Sequence, residues 1–320
     1  MTQGSRAPAG DEDRSTGGAA DQPWKDFRRL LFESGWLIET GTDGVYGRSA
    51  DYEDVATAID ELVLRVGEDE HATTVRFPPV MPWLTFERNG YLQSFPYQMG
   101  SIHTFTGDEG EHAGLLRAVE AGQDRSPFLT ATDTVLCPAV CHPIYPTLAG
   151  ILPGGGRRFE VYGYCFRHEP STDPFRMQAF RQHDYVYVGT PAEAHSFRDH
   201  WVDRGLDTLA RLGLEVSAVV ANDPFFGRPG RMLAVNQREE LLKYELVVPV
   251  NSAARPVALS SSNRHLDHFG RPFHIRTAAG EVAHSSCVGF GVDRITLALV
   301  DRHGPDVGRW PGPVRAALWP

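Results

Sequence analysis

The chain of 320 residues contains no apolar run near the roughly 18 residues that a membrane-spanning helix needs. Its opening residues also lack the apolar stretch of a signal peptide. A membrane or exported protein is therefore not expected, and the cytoplasm is the expected compartment. A basic surplus is missing too: 31 Lys and Arg stand against 41 Asp and Glu, for a net charge of −10. Phosphate contacts dominate nucleic-acid affinity, so this balance argues against a large polyanion as partner, while leaving room for a local basic patch. Cysteine is scarce, with Cys137, Cys141, Cys165 and Cys287 only. In a reducing compartment these are thiols or metal ligands rather than disulfides. No internal repeat and no linker divides the stretch from Trp24 to Pro320.

Residues 1–23 are rich in Gly, Ala, Ser, Asp and Arg and nearly free of apolar side chains, the composition of a disordered tail. Residues 24–320 are read as one domain. Phe27, Leu30, Leu31, Trp36 and Leu37 suggest an amphipathic helix, and Gly41 to Ser49 a glycine-punctuated turn. Val55, Ile59, Leu62, Val63 and Val66 predict a helix over Asp54 to Val66, followed by a strand from Thr73 that stops at Pro78-Pro79. Thr190, Pro191 and Glu193 carry the signals of a helix start, with the helix running to about Leu212. Strands are expected over Glu215–Ala221, Tyr244–Val250, Val257–Ser261, Phe273–Thr277 and Glu281–Cys287, with a polar loop after Ser261. Most strands follow one another without crossover helices. The expected class is α+β, an antiparallel β-sheet flanked by helices.

Two stretches carry chemistry. From Phe159 to Gly189 the sequence reads as a hairpin, with strands over Phe159–Phe166 and Gln178–Val188. It gathers Arg167, Arg176, Arg181 and Glu169 at one end, beside Phe175 and Phe180. Guanidinium forks on a rigid strand suit bidentate holding of phosphate oxygens, and an aromatic ring suits stacking on a flat base. The second stretch, His284 to Val300, predicts a strand, a glycine turn at Gly289 and Gly291, and a helix with Arg294 in its first turn. A helix N-terminus flanked by Arg is a natural phosphate site.

Together these segments resemble the active-site motifs of class II aminoacyl-tRNA synthetases. FRHE (Phe166 to Glu169) with Arg176 and Phe180 is similar to their second motif, GFGVDR (Gly289 to Arg294) to their third, and the helix and strand before Pro78-Pro79 to their first, dimer-forming motif. The resemblance implies that Arg167 holds the α-phosphate of ATP and Glu169 contacts adenine. It further implies that Phe180 stacks on the ring and that Arg176 and Arg294 hold the γ-phosphate end. It covers roughly Trp24 to Pro320, leaving no part for an anticodon-binding domain or basic extension. GVYGRS, GYLQSFP, CFRHEPSTDP, NDPFFGRPGRM, LKYEL and HSSCVGFG sharpen the match to the amino acid:[carrier protein] ligases, related to atypical seryl-tRNA synthetases. Members activate a small amino acid with ATP and pass it to the phosphopantetheine thiol of a carrier protein instead of tRNA. A homodimer, Mg2+ accompanying ATP and no tRNA partner are the corresponding expectations.

In that family a zinc ion is held by Cys, Glu and Cys. Matched by position, Cys141 and Cys287 supply the sulfurs, and Asp184 stands where the family has Glu. Asp is a methylene shorter, so the resemblance leaves open a shifted metal or participation of His183, with Cys137 as alternative ligand. Cys165 is expected in the core. Lys243 and Glu245 alternate with apolar neighbours and are expected to face the pocket, while Ser260, Ser262 and Asn263 resemble the substrate-side strand of seryl synthetases, with His265 and Asp267 following. Ser262 and Asn263 are the expected substrate contacts. Glycine or alanine is the expected substrate; serine and diaminopropionate stay open. A minimal aminoacyl-tRNA synthetase and a non-catalytic synthetase-like subunit are the competing functions, the latter disfavoured because Arg167, Arg176 and Arg294 are all present.

Overall fold

A computed structural model describes residues 22–250 and 256–320. The expected tail lies outside the described residues, save for Gln22 and Pro23. These open helix α1 (Gln22–Glu33), followed by a hairpin of β1 (Leu37–Thr42) and β2 (Val45–Arg48). The sequence reading took this hairpin for a turn, because Gly41, Gly44 and Gly47 mask its strands. Helix α2 (Ala50–Val66) begins at Ser49, whose hydroxyl accepts from the Tyr52 N–H at 3.2 Å, and buries Tyr52, Val55, Ile59, Leu62 and Val63. Strand β3 (Thr73–Val75) follows, ending short of the prolines.

A small peripheral unit comes next: β4 (Val80–Pro82), α3 (Trp83–Arg88), α4 (Tyr91–Ser94), β5 (Ser101–Thr104), α5 (Glu109–Glu120) and β6 (Thr130–Leu136). Its strands form a sheet in the order β4-β6-β5. After the two-residue β7 (Gly150–Ile151) come β8 (Arg157–Phe166), β9 (Ala179–Gly189) and α6 (Pro191–Arg211), the helix capped by Thr190 as its sequence signals predict. Then follow β10 (Ser217–Val220), α7 (Gly227–Glu239), β11 (Lys243–Pro249), β12 (Pro256–Leu266), β13 (Ile275–Arg276), β14 (His284–Gly291), α8 (Val292–His303) and α9 (Gly312–Leu318).

The central sheet runs β10-β11-β12-β14-β9-β8-β3, antiparallel except where β3 joins β8. The expected α+β class with a flanked antiparallel sheet is the observed one. Strand β12 corrects the reading locally. Ser262 to Leu266 form no loop but continue the strand, paired with β14.

The register divides the sheet into two faces, since side chains alternate along a strand. One face packs under α6, α2 and α8. There Tyr185 stacks on Trp201 at 4.6 Å, and Phe290 meets the same indole edge-on. Burying such side chains contributes about 1.5–3 kcal/mol each. The opposite face carries, in cross-strand register, Lys243 opposite Asn263, Asn263 opposite Cys287, Gly289 opposite Asp184, and Phe180 opposite Cys165.

Candidate active site

One expected residue leaves that face. Ser262 pairs with Val288 and Tyr244, is fully buried on the helix-covered side, and its hydroxyl has no hydrogen-bond partner among the described residues. Ser261 takes the place beside Asn263, whose Nδ2 lies 3.4 Å from Ser261 Oγ. The two Ser–Asn positions expected together are thus split by strand alternation.

The arginines divide similarly. Arg167 follows the end of β8, its guanidinium 5.4 Å from the centre of the Phe180 ring, and its Nε donates to the Pro138 carbonyl at 3.1 Å. Arg294 stands in the first turn of α8 and is fixed by two carbonyls, Phe175 O at 3.0 Å and Ala258 O at 3.1 Å. Burial lowers the Arg294 pKa below its ordinary value, with the Arg167 and Arg176 charges adding to the effect. A buried guanidinium held beside two others is an arrangement that suits an anion. Glu169 lies 4.0 Å from Arg176 and accepts a short hydrogen bond from Gln98 Nε2. A narrow pocket lined by Phe175, Phe180, Arg294 and Leu297 completes this end. Arg181, grouped with them by sequence, points the other way into a buried network with Asp293 and Glu53.

Gln98 and Asp223 escaped the sequence reading. Tyr91 donates to Gln98 Oε1 at 2.9 Å, which orients the amide that holds Glu169. Lys243 Nζ lies between Asp223, in a short contact, and Glu245 at 3.1 Å. Burial raises the Asp223 pKa, but Lys243 overcomes it, leaving the carboxylate below its usual range. The NDPFF stretch contained this signal, yet nothing in its spacing gave Asp223 a partner.

Beside the arginine end, Cys141 stands just before a helical turn over His142–Leu148. Cys141, Asp184 and Cys287 lie close enough to shift one another's titration. The Cys287 thiol is pulled well below its ordinary pKa by Cys141, His265 and Asn263, whereas Cys141 is pushed up by the neighbouring Cys287 and by burial. Burial holds the Asp184 carboxyl well above its usual range, and its Oδ1 has no hydrogen-bond partner among the described residues. Two sulfurs and a buried carboxyl with one unpartnered oxygen are donors that a divalent cation would hold ionised, and thiolate with carboxylate suits zinc. Among the described residues, however, no group of three or more His, Cys, Asp or Glu is already arranged to hold a metal ion. Zinc therefore rests on the chemistry of the donors and not on a preformed cage.

The alternative ligands are occupied elsewhere. His183 lies on the helix-covered face, its Nδ1 2.6 Å from Asp60 and its Nε2 3.0 Å from Glu160. Cys137 donates to the Ala139 carbonyl at 3.1 Å in a cluster with Met81, Phe86 and Tyr91, its thiol pushed up to about 12 by burial. Cys165 is in the core, as expected.

This architecture has clear counterparts. A seryl-tRNA synthetase of M. kandleri, solved with A. aeolicus tRNASec, superposes with a TM-score of 0.77 over 97% of this chain and 62% of its own, at 23% identity. A cytoplasmic serine-tRNA ligase of Naegleria fowleri with AMP gives 0.69 over 91% of this chain and 59% of its own, at 14% identity. The fold is that of a class II aminoacyl-tRNA synthetase catalytic domain. No family profile matches the chain. Sequence relatives go further: the amino acid--[acyl-carrier-protein] ligases 2 and 1 of Bradyrhizobium diazoefficiens are 44% and 43% identical, covering 88% and 87% of this chain and 84% and 86% of theirs. The chain belongs to the amino acid--[acyl-carrier-protein] ligase family.

Proposed function

We propose that this ligase activates a small amino acid, glycine or alanine, with ATP and transfers it to the phosphopantetheine thiol of a carrier protein. The observation that carries the reading is convergence: Arg167 and Arg294, which are 127 positions apart, lie close enough for their charges to interact, beside Cys141, Asp184 and Cys287. The amino acid carboxylate oxygen attacks the α-phosphorus, and pyrophosphate leaves with the electrons of the broken P–O bond. Arg167 and Phe180 hold the α-phosphate and the adenine, Glu169 the adenine edge, and Arg176 with Arg294 the departing phosphates, where fixed positive charge lowers the barrier. Mg2+ enters with ATP. Lys243, Glu245, Asn263 and Asp223 orient the amino acid. The carrier sulfur then attacks the acyl carbon, AMP departs with the acyl oxygen, and the thiol proton passes to solvent.

Cys141, Asp184 and Cys287 are the residues that would hold zinc, which when bound supplies a positive centre with an open position for the amino group. We further propose that residues 24–320 act as one catalytic domain and that the enzyme is a homodimer joined through α2 and the edge strand β3. The cytoplasm suits its four free, buried cysteines. Among the described residues no helix is long and apolar enough to cross a membrane.

Pyrophosphate exchange against a panel of amino acids, with bound metal quantified on the same sample, tests the first half-reaction. Exchange with one small amino acid and about one zinc per chain is expected. Loading should require the phosphopantetheinylated carrier; equal loading of the unmodified carrier would remove the second half-reaction. Charging of tRNA in its place would favour a minimal synthetase, and ATP binding without exchange a regulatory subunit.

A further inference from the structure

The end of β12 is irregular in a way the reaction outlined above does not use. Arg264 pairs with Ser286 and Leu266 with Ser285, so His265 is an extra residue with no cross-strand partner. Leu266 beside it adopts φ 53°, a left-handed conformation that a leucine rarely takes. Bulges of this kind re-aim a side chain next to active sites, and backbone outliers persist where the surroundings impose them. Here the re-aimed side chain is an imidazole. Its Nδ1 lies 2.9 Å from Ser285 Oγ and 3.4 Å from the Tyr145 hydroxyl, and its Nε2 lies 3.4 Å from Cys287 Sγ. The ring packs edge-on to Phe269, 5.0 Å between centroids, and Phe269 in turn stacks flat on Tyr145 at 3.8 Å. A hydroxyl that donates to Nδ1 leaves the ring proton on Nε2, the nitrogen that faces the sulfur.

We propose that His265 is a positioning residue for Cys287: anchored through Nδ1 by Ser285 and Tyr145, it donates its Nε2–H to the sulfur and fixes the direction in which that sulfur offers its electrons. Asn263 Nδ2, 3.6 Å from the same sulfur, is the second donor. An N–H held on a ligand atom sets its orientation and tunes its electron donation, and removing such partners typically costs about 10–100-fold in metal affinity or activity. The inference rests on the sulfur-held metal proposed above, and its consequence belongs to the amino acid end of the site. Among the described residues, the side-chain hydrogen bonds and ring contacts of His265 involve Ser285, Tyr145, Cys287 and Phe269 and none of Arg167, Arg294 and Phe180. ATP handling should therefore be untouched.

The test compares wild type with His265→Ala, His265→Gln and Ser285→Ala, each checked for cooperative unfolding. Zinc affinity is read by chelator competition, the sulfur-to-metal charge-transfer band on cobalt-substituted protein, and KM separately for amino acid and ATP in pyrophosphate exchange. The expected result for His265→Ala is zinc affinity lower by about 10–100-fold, a shifted cobalt band and a raised amino acid KM with ATP KM unchanged. His265→Gln, which retains an N–H at the ε position, should recover part of each. Ser285→Ala should show a milder form of the same pattern, and it carries the test if His265→Ala does not fold. Wild-type zinc affinity, cobalt band and amino acid KM in the Ala variants would overturn the role of His265 while leaving the metal intact. A wild-type enzyme that takes up neither zinc nor cobalt would instead remove the metal reading. The role of His265 falls with it, whatever the amino acid KM of the variants.

Discussion

Asp293 receives the backbone N–H of Arg181 at 2.5 Å and the Arg181 guanidinium at 2.7 Å, joining the helix that carries Arg294 to the strand that carries Phe180. Tyr52 of α2 donates to the same carboxylate at 2.9 Å, and the Arg48 guanidinium lies 3.1 Å from it. All three synthetase-like segments therefore meet at one buried anion. Removing one partner of a buried ion pair costs about 3–5 kcal/mol, because the remaining charges lose their compensation. Asp293→Ala should lose about that much in chemical denaturation. Asp293→Asn keeps one acceptor oxygen but loses the charge and turns an NH2 toward the donors of the other oxygen. It should lose less than the alanine variant only if the amide oxygen takes the Oδ1 side, where three donors converge.

Gly289 faces Asp184 so closely that a methyl group there would come within 2.7 Å of its Oδ1. The carboxylate must then shift from its place beside Cys287 and Cys141. Displacing a reacting-site group by about an ångström costs on the order of a hundredfold in rate. Gly289→Ala should therefore lose pyrophosphate exchange by about two orders of magnitude while retaining ATP binding, measured by isothermal calorimetry beside the exchange assay.

Arg294 is held by two carbonyls and faces Arg167. Loss of one fixed positive group at a developing charge typically costs about 10²–10³ in kcat. Arg294→Ala should fall in that range. Arg294→Lys should recover little, because an ammonium cannot reproduce the planar fork.

Gln98 holds Glu169, and Tyr91 holds Gln98. Gln98→Leu should raise the KM for ATP about tenfold, the value of a hydrogen bond to a charged group. The amino acid KM should not change. A stability effect without a change in ATP KM would make Gln98 a packing residue only.

Burial pushes the Glu160 carboxyl up, but the neighbouring His183 ring and a hydrogen bond from Arg76 outweigh it and bring the pKa down to about 2. A carboxylate depressed in the folded state stabilises fully above its unfolded value, about 4.3, and loses that contribution as pH falls toward the folded value. Stability should thus decline between roughly pH 4.3 and pH 2. Glu160→Gln should flatten the decline in denaturant titrations across that window.

The sequence carried much of this. Arg167, Arg176, Phe180 and Arg294 could be associated because each lies in a short segment with a physical signature, an aromatic strand or a glycine-to-helix transition. Cys141, Asp184 and Cys287 are matched by position alone, and the pairing of β9 with β14 accounts for the nearness of Asp184 and Cys287 only. Ser262 went astray because choosing between neighbours on a strand requires its phase, and Ser, Asn, His and Asp after Ser261 imitate a loop. Their pairing with β14 is a tertiary fact that overrides local preference. Arg181 was misgrouped for the same reason. Gln98 and Asp223 act across chain separations of 71 and 20 residues, to Glu169 and Lys243, and no local periodicity records such a contact.

The division of the sheet into a helix-covered side and a reacting side has an outcome for how the chain tolerates change. Between Phe180 and Tyr185, odd positions anchor the fold through Asp293, Asp60 and Trp201, while even positions present Phe180, Gln182 and Asp184 to the reacting side. A saturation scan that scores cellular abundance separately from turnover should therefore alternate along this strand, with odd positions depleting the protein and even positions silencing a protein still present in full.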